Sequence, residues 1–152
     1  MVEIAPVAEE AGVYIGIHPD DPPVYDLGGI PRCMFGNFAG YKKAMEIANS
    51  PNIGVCLCIG CWLEGGEVGM GVGVVDAIKH FAAKKQLFKV HFRNVTNPMP
   101  APWVETLIDN GYQNMYTVMR TLREVGFDGC VIPDHVADML GGPRVEIGRA
   151  HV

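Results

Sequence analysis

Four short apolar runs, at residues 13–17, 54–58, 88–92 and 129–132, constrain the fold of this chain more than any other feature. Each is rich in β-branched or aromatic residues, so each reads as a strand. Between them lie stretches of helical periodicity. Residues 41–49 set Tyr41, Ala44, Met45 and Ala48 on one face, and residues 74–83 do the same with Val74, Ala77, Ile78 and Phe81. Residues 115–125 align Met115, Val118, Met119, Leu122 and Val125, with Gly126 placed as a stop. Residues 2–12 read as the last turns of a helix whose start is expected upstream, running into Gly12 and the first strand.

Strands that are apolar nearly throughout and alternate with helices imply a parallel sheet covered by helices. A doubly wound sheet and a (β/α)8 barrel both satisfy that pattern. The glycine-rich stretch at residues 65–73, "GGEVGMGVG", does not follow a strand directly and lacks the lysine of a phosphate-binding loop. It is expected to be a flexible loop after the second strand.

At 152 residues and 49% hydrophobic composition, the chain can bury the core of one domain. A net charge of -5 without any lysine or arginine cluster argues against a nucleic-acid surface. No apolar segment reaches the roughly 18 residues of a membrane span, and no signal sequence follows Met1, so no membrane partner and a cytoplasmic location are expected. The five cysteines are odd in number and lie mainly in strand-like runs, which favours reduced thiols or metal ligands over disulfides. Cys58 and Cys61 have the spacing of a redox pair or half a zinc site. A second CxxC is missing, and Cys33, Cys56 and Cys130 lack complementary spacing.

The polar residues fall at the ends of the runs. The first ends in "IGIHPDDPP", where prolines force the chain out of the strand into a stiff loop at His18. Cys58 closes the second run, His91 lies in the third, and Asp134 and His135 follow the fourth. C-terminal strand ends of a parallel β/α fold share one side, so these residues are expected to converge. Two imidazoles, a thiolate and a carboxylate form a transition-metal donor set. Singly, each has an ordinary explanation in a hydrogen-bonding histidine, a core cysteine or a capping aspartate. One donor per strand, four strands running, favours the site. Cys56 and Cys58 should share a face, with Cys58 nearer the loop and the better ligand.

The motifs "HPDDPP" (18–23), "LGGIPR" (27–32), "VHFRN" (90–94), "REVGFDG" (123–129) and "PDHV" (133–136) resemble, in order, the C-terminal half of the D-mannonate dehydratase family. The resemblance spans residues 12–142. It implies roughly the C-terminal half of a (β/α)8 TIM barrel of the xylose-isomerase-like type, and dehydration of D-mannonate to 2-keto-3-deoxy-D-gluconate in hexuronate breakdown. It implies a divalent metal, manganese first and iron(II) or cobalt(II) as alternatives, held by His18, Cys58, His91 and Asp134. Asp134 and His135 become the catalytic pair, and Arg93, Asp20 and Asp21 the substrate contacts, Arg93 as a fork for the substrate carboxylate.

Departures from the family pattern are "IGCWLEGG" after Cys58, Ile132 in place of an arginine, and a loosely matching loop at residues 97–111. Two rival functions stay open: a metal-dependent sugar isomerase or epimerase on the same barrel, and a non-catalytic metal-binding fragment. Residues 1–145 are expected to be the barrel half. Residues 146–152, "EIGRAHV", match what a common sequencing adapter encodes in one frame, so a non-native tail is expected and His151 is set aside. Half a barrel leaves strand edges unpaired, so the segment alone is expected to be unstable and inactive, while the full-length protein is open to homo-oligomer formation.

Overall fold

Gly12, at φ 64°, takes the left-handed conformation that ends helix α1 (Ile4–Ala11) and turns the chain toward strand β1 (Ile15–Ile17). The structure, a computed structural model, describes residues 1–23, 26–27, 29–31 and 34–135. Arg32, Cys33, Val136 and the expected tail at 146–152 lie outside the described residues. The first strand begins at Ile15 rather than Val13. The Val13 amide is used to close α1 on Ala8, and its carbonyl accepts from the Asn52 side chain.

A short hairpin of β2 (Asp26–Leu27) and β3 (Ile30–Pro31) follows, then helix α2 (Phe38–Ala48), whose first turn is capped by Asn37 accepting from the Gly40 amide. Strand β4 (Ile53–Cys58) runs straight into helix α3 (Ile59–Met70), and helix α4 (Val74–Ala83) leads to strand β5 (Leu87–His91). A second hairpin pairs β6 (Asn94–Val95) with β7 (Glu105–Thr106), and helix α5 (Met115–Glu124) precedes β8 (Cys130–Ile132).

Strands β1, β4, β5 and β8 form one parallel sheet in that order. Order in space equal to order in sequence, without a reversal, is the pattern of a barrel arc. A doubly wound sheet reverses direction at a switch point, whereas a barrel adds each strand beside the last. The sheet is therefore an arc of a β/α barrel. Tyr41, Ala44 and Met45 of α2, Val74, Ile78 and Phe81 of α4, and Val118 and Leu122 of α5 join Val55, Leu57 and Val90 in one buried apolar cluster. Full burial of each large side chain stabilises by about 1.5–3 kcal/mol.

Two expectations need correction. Residues 65–70 are not a flexible loop: helical segments on either side of Gly66, whose own backbone is non-helical (φ 62°, ψ 175°), carry α3 to Met70. Apolar burial of Trp62, Leu63 and Met70 holds this glycine-rich helix in place where propensity would not. Met119 is exposed; Thr121 takes the buried position on α5 instead, its hydroxyl donating to the Thr117 carbonyl. Among the described residues no helix is long and apolar enough to cross a membrane, and Cys56, Cys58, Cys61 and Cys130 are free thiols.

Candidate active site

Parallel register sets the level of the site. Cys58 pairs with His91 and His91 with Ile132, so the last residues of β4, β5 and β8 lie side by side, and Asp134 stands two residues beyond. His18 follows Ile17 at the end of β1, with its ring tilted against that of His91 at a centroid distance of 4.9 Å. One donor atom from each of His18, Cys58, His91 and Asp134 lies within 4.8 Å of all the others. The mixed nitrogen, sulfur and oxygen set fits a transition metal better than calcium or magnesium, which prefer oxygen alone.

Each donor is held by its neighbours. The His18 Nδ1 lies 2.7 Å from the Pro19 carbonyl. Cys58 is the N-cap of α3, its Sγ accepting from the Cys61 amide at 3.4 Å and donating to Asp134 Oδ2 at 3.5 Å. The His91 Nδ1 is 3.1 Å from Asp134 Oδ1, and its Nε2 is 3.3 Å from the Cys56 Sγ. Cys56 thus shares the inner face with Cys58, one level deeper. Asp134 has φ 69°, a left-handed conformation that costs a non-glycine residue roughly 1 kcal/mol or more and persists where surrounding contacts fix it.

Those contacts also set the charge states. Burial raises the Cys58 thiol, but hydrogen bonds from Cys61, His18 and His91 and the Arg93 charge outweigh it and hold the group well below its ordinary range. Burial likewise lowers His91, yet its bonds to Asp134, Cys56 and Cys58 lift it to about 11. Desolvation opposes ionisation of Asp134, while the His91 bond, the His91 charge and the Arg93 bond keep it ionised and below the usual carboxylate range. The metal-free cluster therefore sets an acidified thiol and a carboxylate beside His91, and a cation entering it displaces protons.

Arg93, which the resemblance makes a fork for the substrate carboxylate, faces the chain's own acids. Its side chain is 2% exposed and engaged by carboxylates of this chain. The Nε donates to Asp134 Oδ2 at 2.9 Å, Nη1 to Glu64 and toward Glu105 at 3.4 Å, and Nη2 to Asp21 at 3.1 Å and the Cys61 Sγ at 3.4 Å. Asp21, Cys61 and Glu64 form a second cluster of potential ligands, and the guanidinium already sits among them. Asp20 lies half-buried on the loop after His18. His135 is half-exposed, with its Nδ1 2.7 Å from Glu105 and its Nε2 3.8 Å from Asp134. The Glu105 bond leads the causes that raise its pKa.

Sequence reasoning missed Glu64 and Glu105. Glu64 is fully buried on α3, where burial pushes its carboxyl up to about 7 against the pull of Arg93. One acid inside "CWLEGG" was the available signal, obscured by reading the following glycines as a loop. Glu105 sits on β7, a two-residue strand too short for any periodicity.

The family model of D-mannonate dehydratase matches residues 1–151. Mannonate dehydratase 2 of Halalkalibacterium halodurans is 33% identical over 134 residues, 87% of this chain and 37% of that protein. Mannonate dehydratase of Bacillus subtilis is 36% identical over 145 residues, 91% of this chain and 37% of its own length. The chain thus spans well under half the length of these curated relatives. Among solved structures, mannonate dehydratase from Streptococcus suis serotype 2 superposes with a TM-score of 0.80 at 28% identity, covering 93% of this chain and 39% of that one. A xylose isomerase domain protein from Planctomyces limnophilus gives 0.59 at 18% identity over 86% of this chain and 43% of its own, a likeness of fold.

Proposed function

We propose, from the premise that this chain belongs to the D-mannonate dehydratase family, that the full-length protein converts D-mannonate to 2-keto-3-deoxy-D-gluconate with a divalent metal held by His18, Cys58, His91 and Asp134. The observation that carries the reading is the convergence of those four donor atoms at successive strand ends. Manganese(II) is the first choice of ion, with iron(II) and cobalt(II) next. A cytosolic setting agrees with the free thiols among the described residues.

Dehydration removes the proton at C2, expels the C3 hydroxyl as water after it gains a proton, and leaves an enol. The enol becomes the ketone by losing the O2 proton and gaining one at C3. The C2 proton is weakly acidic, so charge developing toward the carboxylate must be stabilised, and a bound divalent cation supplies that as a Lewis acid. The chain's own groups do the rest. Asp134 is fixed by His91 and Arg93 and keeps its charge as one of the four ligands. His135 stands at the open edge with Nδ1 on Glu105, leaving Nε2 to take or give a proton. Asp20 and Asp21, on the loop beyond His18, line the substrate's side, with Arg93 contributing through Asp21.

The test is a full-length protein carrying this segment, supplied with manganese(II) and a panel of sugar acids and sugars. A keto-deoxy acid from D-mannonate is the expected product. An isomeric sugar instead would move the protein to the isomerase or epimerase reading, and metal binding without turnover of any substrate would leave a binding role.

A further inference from the structure

We propose that Arg93, anchored on Glu64 and seated over Gly60, is a positioning residue that holds Asp134 and the Glu105–His135 pair in mutual register, and is not a clamp for the substrate carboxylate. The inference rests on the dehydratase reading above and concerns how the same site is held together.

An arginine has five N–H donors in a rigid fork. Arg93 makes four hydrogen bonds, to Asp134 at Nε, Glu64 at Nη1, and Asp21 and Cys61 at Nη2, and Nη1 also forms an ion pair with Glu105 at 3.4 Å. With the side chain 2% exposed, no donor edge is left for a substrate carboxylate. Glu64 comes from the buried turn of α3, fully enclosed, and the buried pair fixes the guanidinium to the helix that Cys58 caps. The other edges of the fork face a candidate ligand, Asp134, and the carboxylate that orients His135. One cation therefore ties the ligand at one strand end to the proton-transfer group beside it.

Space for the cation comes from Gly60, in the first turn of α3. A Cβ there would land on Cγ, Cζ and Nε of Arg93. Alanine is otherwise the better helix former, so the glycine is disfavoured on propensity and required by the guanidinium. A purely structural Arg93 would predict a different response to that substitution from a positioning one.

The experiment compares Arg93→Lys, Glu64→Gln and Gly60→Ala in the full-length protein by manganese(II) affinity, kcat and KM for D-mannonate, and thermal unfolding. Outer partners of metal ligands are worth about 10–100-fold in affinity or activity. The expected result is a loss of that size in manganese affinity and kcat for Arg93→Lys and Gly60→Ala, a smaller loss for Glu64→Gln because one acceptor oxygen remains, and KM changed little. A raised KM with manganese affinity unchanged would make Arg93 a substrate clamp and overturn the proposal. Gly60→Ala with wild-type affinity and turnover would overturn it too, even if Arg93→Lys fails to fold. Failure of the underlying reading looks different: the unaltered protein would then bind no manganese and leave D-mannonate intact.

Discussion

Gly54 and Cys58, near the two ends of strand β4, lie four residues apart and follow opposite rules. At its C-terminal end Cys58 meets His91, Asp134 and Arg93, a concentration of buried charge. At its N-terminal end Gly54 meets backbone and an aromatic ring: a Cβ there would come within 2.6 Å of the Gln86 carbonyl and of the Phe88 ring. Phe88 lies where the register shifts between β4 and β5, and its ring is edge-on to Tyr14 at 5.2 Å. Gly129, just before β8, is closed the same way by Phe127 and the Phe88 carbonyl. One end of the sheet is built from polar groups that hold one another in place, the other from the absence of side chains. Substitution at the first should therefore change chemistry, and at the second stability.

The largest expected effect tests the chemical end. His18 contacts Pro19, the His91 ring and Cys58, and the described partners of Arg93 do not include it, so His18→Ala removes a donor while leaving the Arg93 network intact. In the full-length protein it should abolish manganese(II) binding at micromolar metal and lower turnover of D-mannonate by about 1,000-fold, corresponding to the several kcal/mol a Lewis acid supplies. The unfolding midpoint without metal should stay near that of the unaltered protein. Titrating manganese while following its magnetic resonance signal and product formation tests both. Unchanged affinity would remove His18 from the site and blur the contrast between the two ends.

A smaller effect is expected at His135, where chemistry is separated from metal binding. His135→Asn should keep manganese affinity and lose about 100-fold in kcat, the usual contribution of a general acid or base. Near-normal turnover with metal retained would take His135 out of the mechanism and leave it as an orienting group for Asp134.

The chemical end was the more legible of the two in the sequence, for a physical reason. Donors such as His18, Cys58, His91 and Asp134 are rare residue types at punctuated positions, and strand parity carries them to one side whatever the details of packing. The strand and helix order was legible for the same reason: apolar periods of two and 3.6 survive without knowledge of neighbours. What holds the donors was not. The role of Glu64 depends on a helix stabilised by tertiary burial in the face of its glycines, and that of Glu105 on a hairpin two residues wide. Arg93 was visible as a cation two residues past His91, but whether its fork faces substrate or the chain's own acids depends on partners such as Glu64, Asp134 and Asp21, which lie 29, 41 and 72 residues away in sequence. The packing end left no signal, since Gly54 reads as any glycine before a strand until Phe88 is set against it.

The smallest effect sought is at that packing end, through Gly54→Ala. Its backbone is not in the left-handed region, so the added methyl meets only a steric demand, from the Gln86 carbonyl and the Phe88 ring. That carbonyl accepts the Val55 amide at 2.7 Å, so it cannot withdraw without loosening the junction of β4 and β5. The ring must turn instead, away from Tyr14. Overpacking of this kind costs about 1–3 kcal/mol. The expected result is a lower unfolding midpoint for the full-length protein, with manganese affinity and kcat per folded molecule unchanged, measured below the transition. A variant of undiminished stability that binds manganese more weakly would mean the inner face transmits the displacement from Gly54 through Cys56 to His91, and the division of β4 into a packing end and a chemical end would fail.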